Sequence, residues 1–321
     1  MASPLAVILR FVVCALVALV SGGGTVGLAQ DYPERPVEFI VPWSPGGGSD
    51  TLMRIVAEHL EDPLRASVPV INMPGVSGTL GLKEASRRPG NGYTIAQIHD
   101  GLLVSHHTGL TDLNWDTFVP VASITASPQF LVVHKDTPYQ TLEELVAYAK
   151  ENPGEIRVGV TLAGVPHLHA AMIEEATGIQ FSYVGFEGTG ERIRNLVGQH
   201  IDAAIGDVAS SGAFVESGEL RFLAVGSPER LPQAPDVPTL KELGYDLELT
   251  ILRGVVVPEG TPEASIATLA DALEQVAGDP DAVAALEAAG AAVAYRRGDV
   301  YSAYLTQLDE TIARLIGRLE G

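Results

Sequence analysis

An α/β fold is predicted from three observations. Strand-like and helix-like patterns alternate through the chain once the first 30 residues are passed. Two stretches, 37–60 and 156–177, repeat the same order of apolar strand, glycine-containing loop and amphipathic helix. At 321 residues with 46% hydrophobic and 19% charged side chains, the chain is long enough for two domains of ordinary size or one large one, can bury a core and is not disordered.

The elements follow in order. "VEFIV" (37–41) is an apolar run that stops at Pro42, and "SPGGGSD" leads into a helix over 51–62. "VPVINM" (68–73) passes through "PGVSGTLG" to "LKEASRR", and "YTIAQI" (93–98) follows the turn "PGNG". "VPVASI" and "FLVVHK" are two extended runs close together. "TLEELVAYAKENPG" opens with Thr141 as N-cap and Glu144 three residues on, and closes at Asn152-Pro153-Gly154. A second block starts with "IRVGV" (156–160), then "TLAGVP" and the helix "HLHAAMIEEATG". "FSYVGFEGTGERIRNLVG" is again strand, loop and helix, while "IDAAIGDVASSG" and "RFLAVGS" are strand-and-loop units. Three amphipathic helices make up the tail, with Pro262 and Pro280 at first-turn positions and stops at Gly278 and Gly290.

The N-terminus reads differently. "FVVCALVALV" (11–20), preceded by Arg10 and followed by the small-residue stretch "SGGGTVGLAQ", has the pattern of a secretory signal cut near Ala29. An uncleaved anchor is the alternative. Cys14 lies inside that run and is the only cysteine, so the exported chain would depend on its core and not on disulfides. The balance of 20 Lys+Arg against 40 Asp+Glu, a formal charge of −20, repels nucleic acid and anionic membranes.

In "SPGGGSD" the glycines let backbone N–H groups converge, and the helix that follows adds unpaired N–H groups and the positive end of its dipole. That is an anion site requiring no lysine. The alternative is a tight turn with Ser49 or Asp50 as an ordinary cap, contributing about 1 kcal/mol. Nucleotide motifs fail on detail: Asp50 stands where a P-loop needs Lys-Ser/Thr, and neither "GVSGTLG" nor "GFEGTG" has dinucleotide spacing. No G-x-S-x-G elbow occurs. His106-His107 and the pair His167 and His169 do not match metal-site spacing, since i,i+2 on a helix points two rings apart. Several glycine loops before helices, with no catalytic constellation, suit a binding protein better than an enzyme.

The motifs, taken in order, carry a resemblance. "YPERPVEFIVPWSPGGGSD", "NMPGVSGTLG", "GYT", "LEELVAYAKENPG", "HL" at 167–168, "LAVGSPERLPQAPDVPTLKELG" and "VVVPEGTP" resemble the solute-binding receptors of the tripartite tricarboxylate transporter system, the TctC or Bug proteins, from residue 31 nearly to the C-terminus. The resemblance implies a two-lobed type II periplasmic-binding-protein fold, a Venus flytrap with crossing strands at its hinge. It places a signal peptide at 1–30, one lobe at 31–128 with 225–321, and the other at 129–224. It implies a periplasmic monomer without cofactor, metal or catalytic residues. Such a receptor holds a small organic carboxylate by backbone and short polar groups, not by an arginine clamp, and delivers it to integral-membrane permease subunits. A sensor signalling to a membrane kinase, or an exported hydrolase or metal protein using His167 or His99, are the other readings.

By position, the resemblance implies first-lobe contacts from Trp43, Ser44, Gly46, Gly47, Gly48, Ser49 and Asp50, and from His99, Asp100 and Gly101. The other lobe would supply Thr161, Leu162, Ala163, Gly164 and His167, then Phe186, Gly188 and Thr189, then Asp207. Asp50 would mainly organise its loop, Ser44, Ser49, Thr161 and Thr189 would offer hydroxyls, and Trp43 and Phe186 would form apolar walls. Gly185 and Phe186 stand where the family commonly has proline and tyrosine, Gln199 where a second glycine is usual, and Asn91 in place of an aspartate.

Overall fold

The computed structural model describes residues 32–319, so the signal-peptide reading lies outside the described residues. From Pro33 on, the chain is one compact unit built on two sheets. The six-stranded sheet contains β1 (Glu38–Val41), β2 (Val70–Asn72), β3 (Thr94–His99), β4 (Phe118–Pro128), β10 (Thr250–Pro258) and β11 (Ala292–Arg297), in the order β11-β4-β10-β3-β1-β2. The five-stranded sheet contains β5 (Phe130–His134), β6 (Arg157–Val160), β7 (Ser182–Gly185), β8 (Ala203–Gly206) and β9 (Leu220–Val225), in the order β7-β6-β8-β5-β9. In each sheet the strand that opens the repeated unit, β1 or β6, pairs in parallel with both neighbours.

The two sheets are stitched at a narrow hinge. β4 ends at Pro128 in one sheet and β5 begins at Phe130 in the other, leaving only Gln129 between. The return runs from β9 to β10. The two crossings bond to each other: Gln129 N–H donates to the Leu249 carbonyl (2.7 Å), Leu249 N–H to Gly226 (2.8 Å) and Gly226 N–H to Gln129 (2.9 Å). Gly226 is required by this close approach, because a Cβ there would lie 2.4 Å from the Leu249 Cβ.

Both faces of the second sheet are covered, which is why "FLVV" (130–133) is apolar throughout and does not alternate. Successive side chains point to opposite faces: Leu131 and Val133 enter one core cluster, Phe130 and Val132 the other. The first sheet's core gathers Ile40, Ile98, Phe118, Val256 and Tyr301.

The helices are α1 (Gly48–Leu64), α2 (Thr79–Arg87), α3 (Gly101–His107), α4 (Leu142–Glu151), α5 (Val165–Thr177), α6 (Thr189–Val197), α7 (Val208–Glu216), α8 (Glu263–Gly278), α9 (Pro280–Ala288) and α10 (Gly298–Leu319). Helix α1 starts earlier than the periodicity predicts, at Gly48, and runs through Pro63 to Leu64. Thr141 caps α4 by accepting from Glu144 N–H (3.2 Å), as its spacing predicts. Pro262 is the N-cap of α8, one position outside the first turn, whereas Pro280 is the first residue of α9. "VASSG", read as a loop, forms α7 because the Asp207 carboxylate accepts from Ser210 N–H (3.0 Å) and starts the helix. Helix α3 and strand β11 were not anticipated from the sequence. Among the described residues no helix is long and apolar enough to cross a membrane.

Candidate functional site

The carboxyl ends of β1, β3, β6 and β8 lead into loops that face one another, the place where ligands bind in open α/β sheets. Helices α1, α5 and α6 begin there at Gly47, Gly164 and Gly188 with no side chain capping any of the three. Their first-turn N–H groups have no partner within the helix. These starts border a cavity of about 20 Å³. One wall is Trp43, Gly47, Ser49, Ser77, His99, Gly101, Ile251 and Arg253, and the other is Thr161, Gly164, Val165, Pro166 and Thr189. That volume holds about one water molecule, so the lobes are shut against each other.

On the first wall, Trp43 stacks on His99 at 3.9 Å between ring centroids. His99 Nδ1 accepts from Gly101 N–H (2.8 Å), which fixes the ring and leaves this nitrogen unprotonated. Burial, and then the nearby Arg253 charge, hold its pKa well below the usual histidine value. The Asp50 carboxylate is spent inside its own loop, accepting from Gly46 N–H (2.9 Å) and Asn72 Nδ2 (2.8 Å) and pairing with Arg54 (2.9 Å). Burial pushes its pKa up, but these bonds outweigh it and hold the group below the carboxylate range. The Gly46 amide is therefore committed to Asp50 and is not free for a ligand.

The second wall is organised by Arg192, which is fully buried. Its Nη1 donates to Thr161 Oγ1 (3.1 Å), Nη2 to Thr189 Oγ1 (3.1 Å) and Nε to the Ile205 carbonyl (2.9 Å). Both hydroxyls so held line the cavity. Burial lowers the Arg192 pKa to about 10, leaving it cationic at neutral pH.

The lobes touch directly along a seam. Ser77 Oγ donates to the Leu162 carbonyl and Ser77 N–H to Glu187 (3.1 Å), while Ser105 Oγ donates to the Ala163 carbonyl (2.9 Å). Gly47 faces Thr189 and Gly190, and Gly188 faces Ser44. Gly48 lies so close to Asp207 that a Cβ there would be 1.9 Å from Asp207 Oδ2.

Several residues assigned from the resemblance lie elsewhere. Leu162 is an exposed side chain against Gly185, contributing only its carbonyl to the seam. Phe186 packs on the second sheet's core and forms no wall. Ala163 and His167 border a different groove of about 690 Å³, where His167 meets Tyr183 edge-on at 4.6 Å. Asp100 is buried behind the cavity, accepting from Leu252 N–H (3.4 Å), and burial raises its pKa to about 7. Among the described residues no three His, Cys, Asp or Glu side chains gather as metal ligands would.

The largest departure is electrostatic. The resemblance implies a site without an arginine clamp, yet Arg253, 2% exposed, lines the cavity. Its Nη1 donates to Ser127 Oγ (2.8 Å), Nε to Ser49 Oγ (3.1 Å), and Nη2 reaches Asp207 Oδ2 at 3.4 Å. Sequence reasoning passed over Arg253, Arg192, Ser127 and Ser77. A lone arginine inside "TILRGVVVP" was the available signal, because a charge in an apolar strand needs a buried partner.

A family model described as "Tripartite tricarboxylate transporter family receptor" matches residues 52–319. The "UPF0065 protein in gbd 5'region" of Cupriavidus necator is 33% identical over 258 residues, 79% of this chain and 78% of that protein. The structure of the periplasmic binding protein BugD superposes with a TM-score of 0.84 at 28% identity, covering 90% of this chain and 99% of BugD. An R. palustris protein solved with adipate gives a TM-score of 0.83 at 26% identity, covering 89% and 98% of the two chains.

Proposed function

This chain belongs to the tripartite tricarboxylate transporter receptor family, and on that basis we propose that it captures a small organic carboxylate between its lobes. In this reading it works in the periplasm, as BugD does by its description, and passes its ligand to membrane permease subunits. Family and fold are those of binding receptors, not enzymes. The carboxylate class is supported by the adipate found in the R. palustris relative.

The observation that carries the proposal is the convergence of uncapped helix starts on one cavity flanked by two buried guanidiniums. Converging N–H dipoles and cations raise the potential there against the −20 charge of the whole chain. Because the shut cleft has room for about 20 Å³, ligand entry requires the lobes to part at the hinge of Gln129, Gly226 and Leu249.

Mass spectrometry of small molecules released on denaturation is the direct test, with a carboxylic acid expected. Refolded, stripped protein should then gain about 2.7 kcal/mol of stability at a hundredfold excess of that acid over its dissociation constant. Release of no acid, together with no thermal shift across mono-, di- and tricarboxylates, would refute the reading.

A further inference from the structure

The shut cleft buries two guanidiniums, Arg192 and Arg253, but among the described residues only one carboxylate, Asp207, bonds to either of them. Arg192 spends its donors on neutral oxygens of its own lobe. Arg253 rises from β10, the strand between β3 and β4. The buried Asp100 of its own lobe acts on its charge without bonding it, and among the described residues the one carboxylate that bonds it, Asp207, belongs to the opposite lobe. That contact is a single long one at 3.4 Å, whereas a well-made guanidinium–carboxylate pair is bidentate at about 2.7–2.9 Å. Asp207 does not depend on it. Its Oδ1 stays bound to Ser210 N–H (3.0 Å) and Ser210 Oγ (2.6 Å) within its own lobe.

We propose that Arg253 is the residue that reads the ligand's negative charge, and that Asp207 is an internal stand-in which latches the lobes shut until a ligand carboxylate replaces it. This rests on the carboxylate-receptor reading and goes further by naming the recognising side chain and its competitor. When the lobes part, Asp207 leaves with its helix and becomes solvated, still capping α7. Arg253 stays in the first lobe, positioned by Ser49 and Ser127, with its outward Nη2 available. A ligand carboxylate arriving there closes on Nη2 to the about 2.7–2.9 Å of a charge-assisted bond, which Asp207 at 3.4 Å does not reach. Reclosure then brings a second carboxylate, besides Asp207, against the two buried guanidiniums, with Asp100 behind Arg253 partly protonated near neutral pH. The ligand must accordingly be ionised at the end that meets Arg253, and an amide or alcohol of the same shape is rejected.

The test uses the full chain stripped of ligand, with adipate, acetate and adipamide as probes, and has two arms. In the first, calorimetry should give Asp207→Asn a carboxylate affinity about tenfold above wild type, since asparagine keeps the cap but no longer competes. Arg253→Met should lose carboxylate binding, and adipamide should bind none of the proteins. In the second, ligand-free scattering profiles should show Asp207→Asn more open than wild type. Carboxylate binding by Arg253→Met within about twofold of wild type would overturn the assignment while leaving the receptor function standing. If no protein binds adipate or acetate, the receptor reading is decided by the released-acid and carboxylate-panel test above, and the latch is judged by scattering. Unchanged lobe separation in Asp207→Asn refutes it. Should Arg253→Met not fold, the Asp207→Asn measurements decide alone, and an affinity equal to or below wild type counts against the proposal.

Discussion

The two walls of the cleft each carry a buried arginine, and the two are used in opposite ways. In the second lobe, Arg192 is closed in on itself, with every named bond going to a neutral oxygen of its own lobe. It is a strut that holds the loop of Thr161 against the start of α6 at Thr189. In the first lobe, Arg253 bonds two serines of its own lobe and reaches across the seam to Asp207. The lesson is that burial alone does not define what a guanidinium does. The location of its acceptors decides whether it braces one lobe or senses the other.

Several substitutions break or sharpen that contrast. Arg192→Met has the largest expected effect, because it strands the Ile205 carbonyl and frees both threonine hydroxyls. A loss of about 2–4 kcal/mol in urea unfolding is expected, more than Arg253→Met costs, since Asp207 keeps its Ser210 bonds. Equal losses for the two would erase the distinction between strut and sensor.

Gly48→Ala attacks the seam from the other side. Its Cβ would sit 1.9 Å from Asp207 Oδ2, so the lobes must shift apart while each lobe stays folded. Small-angle scattering should record an opened protein with little change in melting temperature, and a shut Gly48→Ala would mean the seam yields elsewhere.

The histidines give the comparison a pH dependence. His169, 5% exposed, is held down to about 3 by burial alone, while His99 is lowered by burial and then by Arg253. A histidine kept neutral in the fold binds its proton only on unfolding, so its contribution to stability is complete above about 6.5 and is lost as pH falls toward about 3. Asp100 runs the other way, its contribution shrinking as pH rises from 3.8 to about 7. His169→Phe should therefore flatten the acid limb of melting temperature against pH, and an unaltered limb would place the acid sensitivity in His99 or the surface carboxylates.

The smallest effect is expected in the turn that carries Ser77 to the seam. Gly75, Val76, Ser77 and Gly78 all have positive φ, and Val76 at 49° is a β-branched residue in the left-handed region. Val76→Gly should stabilise the protein by about 1 kcal/mol through relief of that strain, measurable as a shift in urea midpoint without a change in slope. A destabilised variant would mean the side chain contributes packing that its 41% exposure does not suggest.

Much of the fold was legible because its signals are local. The run "VEFIV", the glycine loop and the apolar spacing after it report β1, its turn and α1 within a few dozen residues. Helix α7 was missed because Ser-Ser-Gly resembles a loop until Asp207 is seen to cap it. Strand β11 has the half-buried pattern of an edge strand, with Arg296 and Arg297 inside it, so neither alternation nor a continuous apolar run marks it. In the site, Trp43, Gly47, Ser49, His99, Gly101, Thr161, Gly164 and Thr189 border one cavity. Leu162, Phe186 and His167 follow such loops just as closely in sequence but turn their side chains away from it.

By itself the sequence determined the alternating α/β layout, the paired strand–loop–helix units and the glycine turns, since periodicity and backbone freedom act over a few residues. Only the tertiary structure decided the chemistry of the cleft. Arg253 and Asp207 stand 46 residues apart and Ser49 and Arg253 stand 204 apart, on segments brought together by the crossings at the hinge. Pairing of buried charges depends on which strands become neighbours, and no local pattern encodes that.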